Sequence, residues 1–541
     1  MAGVIWRQGQ GLYRIQDDAR QHVFWMHRFH DAELFPQDWI ADYFQSVAPW
    51  GYRHLYEFAA HLGLDPLNFN KLLPILLALL TTGLVMQVSW RLLPVAPAGF
   101  FASVILNLSL WMKDDLVSGT PRAFAVPLLL GFLWALLSNH ILATAIAVVM
   151  TGLFYPPMVI VEGGVLLLQG LGVAQNTAPN RHLALVGLLA VLGVLMPYLW
   201  AANPWEPVLT RQQGLMLAEL APRGRSAFFY EDWGHFWFSS DRSGVVPGYT
   251  PLVLWFGLPL PLLLRFREPF PLLARVRGTS VLLHLLLSSL GSFLLAHLWL
   301  FRLHLPSRYT HHSLRVLLSL AAGLVLVAIA QSVFRPSTPG GATLLQRFFT
   351  LILLLSVIAS PFVLQDSFQT AYYDGTAPNV YEYLQTTPKD SQVAGVDAEL
   401  DNIPSFGQRP ILMGLEYMIP YHWGYYSQVR DRLIALINAH YSPNPQRVRQ
   451  FLQDYPVNYW LIRRDDFSLD YLQQHYWLNR MATSPRQEDA LVQAIQGAFK
   501  TLEQGQRPVL ANLGDRCNVA ASPHYWLLER TCILEQFTSD P

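Results

Sequence analysis

Between Lys71 and Arg91 no Asp, Glu, Lys or Arg interrupts the chain, and the same holds for 92–112 and 123–161. An apolar run of about 18 residues or more is long enough to cross a ~30 Å hydrocarbon core. The run at 123–161 is long enough for two helices, split by the polar triplet Ser138-Asn139-His140. Further runs lie at 163–180, 182–205, 243–264, 278–301, 316–334 and 348–365. In lipid every backbone polar group must be paired within its own segment, so these runs are helices. They predict about ten spans. So many unbroken runs have no counterpart in the core of a soluble protein.

Composition agrees. Of the 541 residues 52% are hydrophobic and 14% charged, against roughly 25% charged in soluble domains. A mean hydropathy of +0.26 is too low for spans alone and requires a substantial aqueous part. Thirty-seven basic residues balance thirty-seven acidic ones, which argues against a nucleic-acid partner. Two cysteines exclude a disulfide scaffold.

Lys/Arg asymmetry sets orientation. The most basic connection is RFREPFPLLARVRG, with Arg265, Arg267, Arg275 and Arg277. Placing it in the cytoplasm puts 1–70, 113–122, 206–242, 302–315 and everything after 366 on the outer face. The expected units are an outer segment 1–70, a membrane domain 71–365 with the outer loop 206–242, and a soluble extracytoplasmic α/β domain 366–541. The chain opens without a signal peptide. An outer segment of seventy residues with no span before it implies a helix upstream of Met1.

In the first segment, apolar positions after Trp39 and again from Tyr52 to Leu62 recur at helical spacing. Two short amphipathic helices follow, lying on the membrane surface or packed against other loops. After Pro378, helical and strand-like patterns alternate. NVYEYLQTT, YYSQVRDRLIALINAH, NPQRVRQFLQDY and DALVQAIQGAFKTLEQ read as helices; SQVAGVDA, RPILMG, VNYWLIR and RPVLANL read as strands. Cys517 and Cys532 lie here, as a disulfide or as two buried thiols.

Phosphate-loop, dinucleotide, H-E-x-x-H, C-x-x-C and G-x-S-x-G motifs are missing from the sequence. What remains is acidic pairs in the first two outer segments. Asp17-Asp18 precedes the amphipathic helices, and Lys113-Asp114-Asp115 is followed by Arg122. Converging at one membrane-level cleft, such carboxylates serve as a general base on a hydroxyl or hold a divalent cation, Mg or Mn; as solvated loop residues they do neither. Arg308, in HLPSRYTHH, suits bidentate binding of a lipid-linked phosphate, or snorkels beside the belt residue Tyr309. His311 and His312 read as interface residues. Trp233, Trp237 and Arg242 in the loop 206–242 and its sequel offer sugar-stacking or interface-anchoring groups. Glu162 is the exceptional acid within the runs.

This order of acidic outer segment, spans, large outer loop, further spans and terminal α/β domain resembles the type C superfamily of integral membrane glycosyltransferases. DDARQHVFWMHRFHDAELFPQDWIADYF is similar to the first outer loop of uncharacterised bacterial members, as are SGTPRAFAVPLLL, FYPP and LPSRYT. PNVYEYLQTTPKDSQVAGVDAELDNIPSFGQRPIL resembles the outer domain that such proteins carry. The resemblance implies transfer of a sugar from a polyprenyl-phosphate donor to an acceptor hydroxyl at the outer face of a bacterial inner membrane, with inversion. Asp17 and Asp18 then match the catalytic acidic pair. Asp114 and Asp115 match the second-loop motif. Arg122, Arg308 and Tyr309 become substrate-binding residues. The family has a helix before its first acidic loop and none precedes Asp17 here, so the six leading spans correspond to spans two to seven of its shared module. A non-ATP-driven transporter or lipid-handling permease is the alternative, and expects ionisable residues in the spans; a catalytically inactive scaffold is a third reading.

Overall fold

Asp65 starts the membrane body. Its side chain accepts a hydrogen bond from the Asn68 amide at 3.0 Å, Pro66 occupies the first turn, and the helix runs Pro66–Leu92 before Leu93 turns extended ahead of Pro94. In the computed structural model, which describes residues 2–174, 180–200, 203–266, 268–335 and 343–537, five helices are long and apolar enough to cross a membrane. They are Pro66–Leu92, Arg181–Tyr198, Thr279–Leu298, Ser307–Phe334 and Leu344–Val363. Five further apolar helices, of 10–17 residues, are shorter than a full crossing: Ala96–Trp111, Pro121–Leu137, Ile141–Phe154, Pro156–Gly170 and Leu252–Arg265. Each of the ten predicted spans thus overlaps an apolar helical segment, but only five of those segments, not ten, are long enough to cross.

Two of the shortfalls have local causes. The break expected near Glu162 falls instead at Tyr155, where Pro156-Pro157 stops one helix and starts the next. Glu162 therefore sits inside a helix, fully buried, and accepts a hydrogen bond from Thr151 Oγ1 at 2.8 Å. The run 243–264 is not one helix: prolines at 247, 251, 259 and 261 leave a loop, a 3-10 turn Leu252–Gly257 and a short helix Leu260–Arg265. Arg267 of the basic connection and residues 175–179 of the run 163–180 lie outside the described residues.

Ser307–Phe334 is the central helix, buried along most of its length. A Cβ at Gly323 would lie 2.5 Å from the Ala98 carbonyl, so the absence of a side chain lets this helix approach Ala96–Trp111 closely. His311 and His312 are buried in this bundle rather than at the lipid interface. Leu344–Val363 is peripheral, with Phe348, Phe349 and Phe362 exposed.

The predicted outer segments gather at one end. Strand Arg14–Gln16 pairs antiparallel with Tyr372–Asp374, joining the first segment to the chain after 366. Helices Trp39–Val47 and Trp50–His61 both pack inward. Tyr43 stacks on Tyr425 at 3.7 Å and Tyr56 packs edge-on to Phe69, while Trp50, Phe58 and Leu62 remain exposed on the second helix. Leu209 N–H donates to the Tyr421 carbonyl and Trp423 N–H to that of Pro207, which fastens the loop 206–242 to the C-terminal part.

That part holds a small four-stranded sheet. Gln392–Ala394 pairs parallel with Val457–Arg463, which pairs antiparallel with Tyr525–Glu529, and Asn518–Ala521 forms the outer strand. RPILMG contributes only an isolated bridge at Ile411, and RPVLANL is a 3-10 turn, Val509–Asn512, rather than a strand. The two strands that the pattern missed lie between Cys517 and Cys532, which are disulfide-bonded to each other.

Candidate active site

A cavity of about 750 Å³ opens where the segments 17–22, 43–49, 120–122, 155–157, 223–225, 301–308 and 415–422 meet. Strand pairing places its acidic pair. Asp17 N–H donates to the Ala371 carbonyl at 2.9 Å just beyond strand Arg14–Gln16. Asp18 then occupies the N-cap position of the turn Ala19–His22, but its side chain makes no capping hydrogen bond. It turns instead to Arg122, while Asp17 pairs with Arg20. Both carboxylates line the cavity, half-buried.

A third carboxylate joins them from 400 residues further along. Glu416 accepts from Gln21 and is paired by Arg225 at 2.9 Å and Arg20 at 3.5 Å. Arg225 is fixed in turn by donating to the carbonyls of Glu416 (2.8 Å) and Met418 (3.3 Å). Its neighbour Gly224 is wedged so tightly that a Cβ would lie 2.2 Å from the Glu219 carbonyl. Ligand oxygens of Asp17, Asp18 and Glu416 lie within 4.8 Å of one another.

Burial, reinforced by Asp114, Asp17 and Glu416, outweighs Arg122 and pushes the Asp18 carboxyl up to about 7. Burial and then Glu416 raise Asp17 as well. Glu416 is buried too, yet Arg225 and Arg20 prevail and hold it below the ordinary range. One face of the cavity therefore carries a carboxyl poised near neutrality beside one held ionised. Also on the cavity wall, burial and then Arg308 lower His304 to about 3, so that imidazole is neutral.

Behind the acidic pair stands a second layer. Arg122 pairs with Asp114 at 2.8 Å and Asp115 at 3.4 Å. Asp115 also faces Arg308 at 3.8 Å and Arg315 at 2.7 Å, and Arg315 is anchored on the Pro247 carbonyl. Although Asp115 is buried, Arg315, Arg122 and Arg308 keep it well below the usual carboxylate range. Asp114 and Asp115 do not line the cavity; Arg122 and Arg308 do. The second acidic pair, expected at the substrate, pairs in the structure with three arginines: Arg122, Arg308 and Arg315. Tyr309 also stays out of the cavity, buried and donating to the Leu303 carbonyl at 2.7 Å. Trp237 packs against Phe293 and His297 of a spanning helix, and Trp233 against Phe238, so neither lines the wall. Arg242 does.

Sequence reading missed Glu416, Arg20, Arg225, His304 and His422. Arg20 was legible as the residue one short turn after Asp17. Glu416, in GLEYMIP, carries no local signal, because only the folding of the C-terminal part against the first segment brings it there.

Among solved structures, the chain is similar to the oligosaccharyltransferase of Archaeoglobus fulgidus, crystallised with a tethered acceptor peptide containing the NVT sequon. The TM-score is 0.55 at 11% identity, covering 92% of this chain and 71% of that one. The same enzyme in complex with an inhibitory peptide and a dolichol-phosphate gives 0.55 at 12% identity, over 91% and 71%. The chain has the type C glycosyltransferase fold. Arabinofuranosyltransferase AftD from Mycobacteria matches at 0.50 and 14% identity over 86% of this chain and 36% of its own. No protein-family model matches the chain, nor does any curated protein sequence.

A crystal structure of the Archaeoglobus enzyme is a complex with Zn and sulfate. Here the cluster of Asp17, Asp18 and Glu416 offers oxygen donors only, as a hard cation prefers. The donor set therefore fits a divalent cation.

Proposed function

We propose that this chain is an inverting membrane glycosyltransferase. It moves a sugar from a polyprenyl-phosphate-linked donor to an acceptor hydroxyl at the outer face of a bacterial inner membrane. The supporting observation is the Asp18 carboxyl, held on the wall of a cavity that Arg122 and Arg308 share. A base with a pKa near the working pH combines a large ionised fraction with useful basicity, and Asp18 lies at about 7. Asp18 takes the proton of the acceptor hydroxyl. The freed oxygen attacks the anomeric carbon opposite the lipid, and the carbon–oxygen bond to the phosphate breaks, its electron pair leaving with the polyprenyl phosphate. Arg122 and Arg308 stabilise the departing phosphate, a role worth several kcal/mol where water is excluded. Asp17, locked by Arg20, keeps the turn and the local field in place.

Asp17 and Glu416, beside Asp18, would hold a divalent cation, which supplies positive charge to the donor phosphate when bound. The dolichol-phosphate in the Archaeoglobus complex supports a lipid-linked donor here. The transporter alternative rests on ionisable groups within the spans, and Glu162 is satisfied on one oxygen by Thr151. The test is Asp18→Asn, assayed for transfer from polyprenyl-phosphate sugars. Unchanged turnover would remove Asp18 as the base, and an absence of transfer by the parent protein itself would move support to the inactive-scaffold reading.

A further inference from the structure

Seven arginines line the cavity against three carboxylates. Arg122, Arg225 and Arg308 face acidic groups. Among the described residues, no carboxylate lies within ion-pair reach of Arg223, Arg242, Arg302 or Arg480. That surplus exceeds what one lipid-linked phosphate neutralises. Arg242 ends the outer loop 206–242, Arg302 follows helix Thr279–Leu298, and Arg308 lies in the first turn of helix Ser307–Phe334. Arg223 and Arg480 come from the outer loop and from helix Tyr476–Ala482 of the C-terminal part.

This last pair is built rather than loose. Arg223 donates to the Thr483 carbonyl at 3.3 Å, just past the end of that helix. Arg480 donates to the Tyr476 hydroxyl and lies over its ring at 4.8 Å. Both partners are neutral, so each guanidinium is positioned with its charge uncompensated. Tyr476 is 74% exposed. Trp477 lines the cavity, is only 6% exposed, and its indole Nε1 is buried without a hydrogen-bond partner. Buried indole N–H groups ordinarily have one.

We infer that Arg223, Arg480, Tyr476 and Trp477 form an acceptor subsite for an anionic saccharide, one whose sugars carry carboxylate or phosphate groups. The inference rests on the glycosyltransferase reading for the word acceptor. Its recognition chemistry stands apart: guanidinium forks for the anionic oxygens, an exposed ring for the sugar face, and the indole N–H for a hydroxyl or carboxylate oxygen.

The test is equilibrium binding to the full-length protein in detergent, with no sugar donor present. Four probes are used: maltotriose, phosphorylated maltotriose, trigalacturonate and undecaprenyl phosphate. At least one of the two anionic saccharides binds about tenfold or more tighter than maltotriose, as charge-assisted bonds to two guanidinium groups require, and which one identifies the anionic group. Arg223→Gln/Arg480→Gln removes that preference, Arg480→Lys retains part of it, and Trp477→Phe weakens saccharide binding, all with undecaprenyl phosphate affinity unchanged. Equal binding of neutral and anionic probes by the parent protein overturns the inference. So does a preference that survives the double substitution. Parallel loss of undecaprenyl phosphate also overturns it, by assigning the arginines to the donor. Because no turnover is measured, failure here leaves the Asp18 assay to judge the transferase reading separately.

Discussion

Replacing Asp18 by Asn is predicted to abolish activity and to stabilise the protein at alkaline pH. The sign follows from the carboxyl's position. Unfolded, Asp18 titrates at about 3.9; folded, burial and acidic neighbours raise it to about 7. A carboxylate with a raised folded pKa carries a penalty when ionised. That penalty is nearly absent below pH 4, grows between pH 4 and 7, and is complete above pH 7. Three pKa units at 1.36 kcal/mol each make it about 4 kcal/mol at pH 8. Asn removes the charge, so the variant's thermal midpoint rises at pH 8, and the gap narrows as pH falls toward 4. Turnover falls by about 10²–10⁴, the usual contribution of a general base. In the parent protein the rate rises with pH through an apparent pKa near 7. The measurements are thermal unfolding across pH 4–8 and sugar transfer from polyprenyl-phosphate donors. A variant that transfers sugar at the parent rate, or that melts lower than the parent at pH 8, would refute this reasoning.

Three further outcomes are expected. Asp115→Asn leaves Arg315 buried without its carboxylate 2.7 Å away, and stranding a buried charge costs about 3–5 kcal/mol; the yield of folded protein and its thermal midpoint report the loss. Replacing Cys517 and Cys532 by Ser opens a loop of 15 residues, worth about 3 kcal/mol, and lowers the melting temperature under oxidising conditions while leaving the reduced parent protein's melting temperature as the matching control. Mn²⁺ titrated into the protein and followed by electron paramagnetic resonance binds at the Asp17 and Glu416 oxygens; Glu416→Gln weakens that binding, and equal affinity in the variant removes Glu416 from the set.

The membrane character of the chain was legible from charge-free runs, because lipid forces backbone pairing within each helix. The placement of Asp17, Asp18, Arg122 and Arg308 at one end was legible too, since counting spans sorts loops to faces. Helix lengths were not. Prolines at 156, 157, 251 and 259 cut helices inside apolar runs that hydropathy alone joins. Strands Asn518–Ala521 and Tyr525–Glu529 were missed because they gain their partners from one another and from Val457–Arg463, not from a pattern of their own.

Local sequence by itself determined the apolar helices, the acidic pair and the arginine-rich loops, since each depends on neighbours a few residues apart. Only the tertiary structure decided which of those groups meet. It set Glu416 beside Asp17 and Asp18 and withdrew Asp114 and Asp115 behind Arg122. It also gave Asp18 its shifted titration, because burial and the sum of surrounding charges exist only once distant segments have folded together.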